Sequence, residues 1–144
     1  FWKRTGPTPV MMALDASKRD VCTVRRERTD SASQALIMLN GTQFVETARA
    51  TADLLIQNYG TTNPNDLIEE AFKKLTSRSP SERESKILQN LLEEQKKYFT
   101  DDKETEKFLK VGYYQAKAKD KKYLAAVTSL VSTLMNFDGT LSKR

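Results

Sequence analysis

"DSASQALIMLNGTQFVETARATADLLIQNYG", residues 30–60, decides the fold. Ala32, Ala35, Leu36 and Leu39 recur at helical spacing, and Asp30 or Ser31 can accept hydrogen bonds from the orphan N–H groups of the first turn. Asn40-Gly41 ends this helix, since glycine takes the left-handed conformation that C-caps use. Thr42 can cap a second helix, whose apolar residues Phe44, Val45, Ala48, Ala52, Leu55, Ile56 and Tyr59 form a stripe near period 3.6. It stops at Gly60. Two consecutive apolar helices with a one-step break predict helix packed on helix.

The pattern continues downstream. "TTNPND" supplies a loop, and Asp66, Glu69 and Glu70 sit where carboxylates favour the positive end of a third helix. Leu67, Ile68, Ala71, Phe72 and Leu75 form its inner face, and Ser79-Pro80 breaks it. Ser81 with Glu84 is a capping box opening a fourth helix, with Ile87, Leu88, Leu91, Leu92, Tyr98 and Phe99 inward. "TDDKET" opens a fifth, expected to carry Phe108, Leu109, Gly112, Tyr113 and Ala116. "KAKDKK" reads as a solvated loop before a sixth, with Leu124, Val127, Leu130, Val131, Leu134 and Met135 inward and Asp138-Gly139 closing it.

Upstream, residues 1–28 hold Pro7 and Pro9 and no sustained period, apart from a short helical turn near Met11–Leu14. "VCTVRRER" is the one strand-like fragment, short and heavily charged. The expected fold class is all-α: about six helices packed as an orthogonal or antiparallel bundle, with an irregular N-terminal arm. The expected organisation is a single helical domain over residues 1–144, a basic arm over 1–28 and a helical body over 29–144. No run approaches the roughly 20 apolar residues of a transmembrane helix. The chain opens with "FWKRTG" rather than Met, and reads as a piece of a longer polypeptide.

Two shortages restrict the chemistry. The chain has no histidine, which removes the usual general base, the commonest metal ligand and Ser-His or Cys-His activation. One cysteine excludes an internal disulfide, a four-thiolate zinc site and a C-x-x-C-H haem attachment. The expectation is therefore no catalytic residue, no metal and no cofactor in this domain. The net charge of +5 is concentrated in residues 1–28, at net +4, but is interleaved with acids and few aromatics, which argues against nucleic acid as partner.

Arg25, Arg26 and Arg28 precede the first long helix and support two readings. As an anion clamp, their guanidinium forks would suit sulfate, phosphate or carboxylate, and hence an acidic polysaccharide. As structural ion pairs with acids such as Glu46, Asp53 or Asp138, they would tie the arm to the body, and this is the simpler reading. Cys22 fits a buried small hydrophobe, or a half-cystine paired outside the chain. Gln34 can satisfy a backbone group, and Asn40 and Asn136 read as caps. Tyr113-Tyr114 and Phe1-Trp2 can form a sugar-stacking platform, with core packing or a cut interdomain contact as the simpler reading. Adjacent Glu93-Glu94 and Asp101-Asp102 diverge on a helix surface and are poor candidates for paired-carboxylate chemistry. Phe1, Trp2, Met11 and Met12 form a candidate docking surface.

"PVMMALDASKRDVCTVRRERTDSASQALIMLNGTQFVETARATADLL" resembles the C-terminal domain of unknown function of large planctomycete and verrucomicrobial proteins. That pattern has an Asp-Ala-Pro segment, a Cys, two arginines, a "TNTPLQAL" helix start, "LLN" and "FVEAAR". "AFKKLTSRSPSERE" is similar to its "AFRLLLGRPPTEEE", and "LAAVTSLVSTLMNFDGTLSKR" to its "LAAWTALARALLNLDEFLTR". Ser17 stands in place of the pattern's Pro, "DSAS" in place of "NTPL", Gly139 where an acid is usual and Val127 near the usual Trp. The resemblance implies a helical accessory domain, non-catalytic alone, in an exported, extracytoplasmic multidomain protein. It implies a companion domain of unknown function in the same polypeptide as partner, and haem, if any, in a cytochrome-c-like module elsewhere in the parent. Two alternatives stand beside it: binding of sulfated or acidic polysaccharide through the arginines, or a share in a composite hydrolase or redox enzyme completed by the companion domain.

Overall fold

The computed structural model describes residues 8–16, 24, 29, 31–60 and 63–141. Of these, 74% are helical and none lies in a strand, so the chain is all-α as its periodicity requires. Among the described residues eight helices follow in order: α1 (Pro9–Ala13), α2 (Ala32–Asn40), α3 (Thr42–Tyr59), α4 (Pro64–Thr76), α5 (Glu82–Tyr98), α6 (Asp102–Leu109), α7 (Lys121–Met135) and α8 (Asp138–Leu141). The six from α2 to α7 answer to the six long helices expected from sequence, α1 to the short turn expected near Met11–Leu14, and α8 is a short addition.

α7 is the hub. It packs against α2, α3, α4, α5, α6 and α8, and most closely against α3. Its sequence is apolar nearly all round, which suits a helix enclosed by neighbours. Tyr123, Leu124, Ala125, Ala126, Val127, Leu130, Val131 and Leu134 are all buried. Thr128 joins them because its hydroxyl donates back to the Leu124 carbonyl at 2.7 Å, so no polar group is stranded. Ala48, Ala52 and Leu55 of α3, Leu67, Ile68, Ala71 and Phe72 of α4, and Leu88 and Leu92 of α5 complete one core. Each fully buried Leu or Phe there contributes about 1.5–3 kcal/mol.

The caps follow the sequence closely at two helices. Ser31 and Gln34 form a reciprocal capping box on α2, and Ser81 and Glu84 form another on α5. Arg78 grips Glu84 through both nitrogens at 2.9 and 2.6 Å, and with the Ser81 amide and hydroxyl this holds the Glu84 carboxyl down at about 2. Gln34 performs the backbone role expected of it, accepting from Ser31 N–H at 3.1 Å.

Elsewhere the caps differ from expectation. Gly41 has φ −65°, not the left-handed value, and it rather than Thr42 is the N-cap of α3. Glycine is needed there for closeness: a Cβ would sit 2.7 Å from the Ile37 carbonyl oxygen and 2.9 Å from the Phe44 ring. The left-handed cap of α4 is Ser77, two residues before the Ser79-Pro80 breaker. Asn136 ends α7 without a left-handed turn, and its side chain instead donates to Ala35 O of α2 at 3.3 Å.

The largest departure is α6. The spacing of Phe108, Leu109, Gly112, Tyr113 and Ala116 predicts a helix through residue 116, yet the helix stops at Leu109. Residues 110–120 run as a linker to α7, and side chains of α3 take the hydrogen bonds a longer helix would have made.

Candidate functional site

Three charged residues interrupt the apolar stripe of α3. Glu46, Arg49 and Asp53 stand at i, i+3 and i+7, on one face of the helix. That face meets the 110–120 linker. The Glu46 carboxylate accepts from the Tyr113 and Tyr114 amides at 2.7 and 2.5 Å. Arg49 donates to the carbonyls of Leu109 and Tyr114. Asp53 accepts from the Lys117 amide at 2.9 Å, the Ala118 amide at 2.8 Å, the Tyr114 hydroxyl at 2.8 Å and the Gln57 side chain at 2.9 Å. Backbone groups of the linker are thus satisfied by side chains sixty or more positions away in sequence.

Asp53 is 0% exposed and Arg49 2%. Burial pushes the Asp53 carboxyl upward, but the Lys117 amide, Tyr114 hydroxyl, Ala118 amide and Gln57 side chain outweigh it and hold the group below its ordinary value. Tyr114 shows the reciprocal effect: its hydrogen bond to Asp53, with burial, raises the phenol. Gly112 makes the clamp possible. Its φ is +82°, and a Cβ would stand 2.5 Å from the Glu46 carboxyl carbon.

Beside the clamp lies a cleft of about 180 Å³, lined by Arg49, Glu106, Lys110, Gln115 and Lys121 among others. Arg49 Nε–H is buried without an acceptor among the described residues. Lys121 pairs with Glu106 across the rim at 3.0 Å. This lysine, aided by Lys110, holds the Glu106 carboxyl below its usual range.

The residues singled out from sequence fall elsewhere. Arg25, Arg26, Arg28, Cys22, Phe1 and Trp2 lie outside the described residues. Two of the counter-charges considered for the arginines, Glu46 and Asp53, are engaged by the linker. Among the described residues the arm is tied down through an acid. Asp15, at φ 57°, accepts from the Thr29 amide at 2.6 Å, the Thr29 hydroxyl at 2.9 and 2.8 Å and the Gln34 side chain at 3.1 Å. These bonds, the Thr29 amide foremost, lower its carboxyl.

Met11 and Met12 on α1 are 41% and 54% exposed. The tyrosine pair divides: Tyr113 stands in solvent while Tyr114 turns inward to Asp53. Glu93 pairs with Lys96 on α5, Asp101 caps α6 and Asp102 pairs with Lys122 of α7. Among the described residues no group of three or more His, Cys, Asp or Glu is placed to hold a metal ion. None of the described helices is long and apolar enough to cross a membrane.

Arg49 and its cleft were not read from the sequence. The signal was present in the charges at 46, 49 and 53, which break an otherwise apolar helix face at helical spacing.

The fold and the clamp define an all-α domain in which three charged residues of α3 hold the backbone of the 110–120 linker. Residues 1–92 match the family PSD1, described as a protein of unknown function (DUF1553), and the chain belongs to that family. The match spans α1 to α4 and most of α5, and so includes all three charged residues of α3. No curated protein and no solved structure matches the chain.

Proposed function

We propose that this chain is a helical accessory domain of a larger exported polypeptide, non-catalytic alone, that docks on a companion domain through the apolar face of α1 and α2. One observation carries the reading. α2 has the sequence ASQALIMLN, apolar over most of its length, yet none of its residues is buried. Leu36 is 63% exposed, and α1, packed against α2, exposes Met11 and Met12, with Leu14 exposed at its C-cap. Exposed apolar side chains on two helices in contact favour an interaction site, since covering them removes apolar surface from water. Family membership supports the reading to the extent that this α1–α2 segment lies within the matched residues.

The test is Leu36→Glu with Leu39→Glu. Both side chains are exposed, so the isolated domain should keep its stability within about 0.5 kcal/mol. Binding to the companion domain, expressed separately and measured by calorimetry, should weaken about 100-fold, as expected when two apolar anchors are lost. Unchanged affinity overturns the docking face. So does concentration-dependent dimerisation of the isolated domain that the double variant abolishes, since the face would then belong to a second copy.

A further inference from the structure

We propose that the cleft beside Arg49 binds a small tetrahedral oxyanion, a phosphate or sulfate group. The site is independent of the docking face and rests on three observations. The first is charge: Arg49, Lys110 and Lys121 line the cleft against one carboxylate, Glu106. The second is the state of Arg49. It is almost wholly buried, and its hydrogen bonds go to the neutral carbonyls of Leu109 and Tyr114, with Nε–H left unpartnered among the described residues. A desolvated guanidinium with only carbonyl acceptors gains from an anion placed beside it.

Glu46 and Asp53 flank Arg49 on α3, but neither lines the cleft, and each is engaged by linker donors of its own. The third observation is space. About 180 Å³ is several times the volume of one water, roughly 30 Å³, and admits a tetrahedral oxyanion with residual solvent. Lys110, Lys121 and the Gln115 amide supply contacts from the open side, and the buried guanidinium supplies the field behind them. Lys121 is held by Glu106 at 3.0 Å, so anion and carboxylate compete for it.

That competition gives variants of opposite sign. The full chain is titrated with inorganic phosphate, and separately with inorganic sulfate, at constant ionic strength made up with sodium chloride, following backbone amides by NMR. Saturable shifts at Leu109, Lys110, Gln115 and Ala116 are expected, with a Kd on the order of 1 mM. Glu106→Gln, which frees Lys121 and removes a like charge, should tighten binding about threefold. Lys110→Gln with Lys121→Gln should weaken it at least about tenfold while leaving the rest of the spectrum in place. Linear, unsaturating shifts would overturn the site. So would equal affinity in the double-lysine variant, weaker binding by Glu106→Gln, or saturation by acetate at the same concentration.

Discussion

Asp53→Ala is expected to remove about 3 kcal/mol of folding stability, measured by urea denaturation at pH 7. The carboxylate is fully enclosed and has four donors pointed at it. Alanine strands the Lys117 and Ala118 amides and the Tyr114 hydroxyl, each costing about 1–3 kcal/mol where water cannot replace the acceptor. Part of that cost is offset by no longer burying a charge. Asp53→Asn keeps one acceptor oxygen and should lose about half as much.

The two variants also separate the electrostatics from the packing. The native Asp53 carboxyl lies below its ordinary value, so the folded state binds its proton less readily than the unfolded chain does. Its stabilisation is complete above the unfolded pKa, about 4, and drains away as pH falls toward the folded one. Wild type should therefore lose stability more steeply than Asp53→Asn between about pH 5 and 3. Asp15 and Glu84 are lowered too, and act alike in both proteins, so the difference belongs to Asp53. Parallel acid limbs would mean that the carboxylate's charge is not what the linker amides hold.

Gly112→Ala is the second large effect, about 2–3 kcal/mol by the same assay. At φ +82° an L side chain is strained before any contact is counted. The added methyl would also stand 2.9 Å from the Cβ of Glu46 and 2.6 Å from its Oε2. Glu46 can swing clear only by releasing the Tyr113 and Tyr114 amides. Glu46→Ala should therefore absorb part of the penalty: the double variant should be less destabilised than the two single changes added together, by about 1 kcal/mol. Strict additivity would show that Gly112 is required by backbone conformation alone.

These residues also show where sequence reading succeeds and where it stops. Ser31 was legible as a cap and Gln34 as a partner for backbone, though not the box the two form together. Ser81 with Glu84 was legible because a capping box is local: three residues separate the partners, and the chemistry is in the residue types. The stripe of α3 was legible for the same reason, since period 3.6 reports a face and a face reports a core. Gly112 was misread because Phe108, Leu109, Tyr113 and Ala116 carry helical spacing, and local spacing holds no information about α3. What ends α6 is a set of carboxylates and a guanidinium sixty or more residues upstream, competing for the same amides and carbonyls. Gly41 teaches a narrower point, for a glycine after an apolar helix serves a close approach to Ile37 and Phe44 there, and not a positive φ. The exposed face of α2 was hidden in the same way. Apolar composition predicts burial, and burial within this chain is not what that helix has.

Hydrogen exchange of four amides, Tyr113, Tyr114, Lys117 and Ala118, tests most directly the claim that α3 holds the linker. They lie outside any helix, so an unclamped linker would exchange them at rates close to those of an open chain. The clamp predicts protection comparable to that of core amides in α7 such as Val127 and Leu130, falling selectively at Lys117 and Ala118 in Asp53→Asn. Unprotected linker amides in the wild-type chain, with α7 protected, would contradict the account.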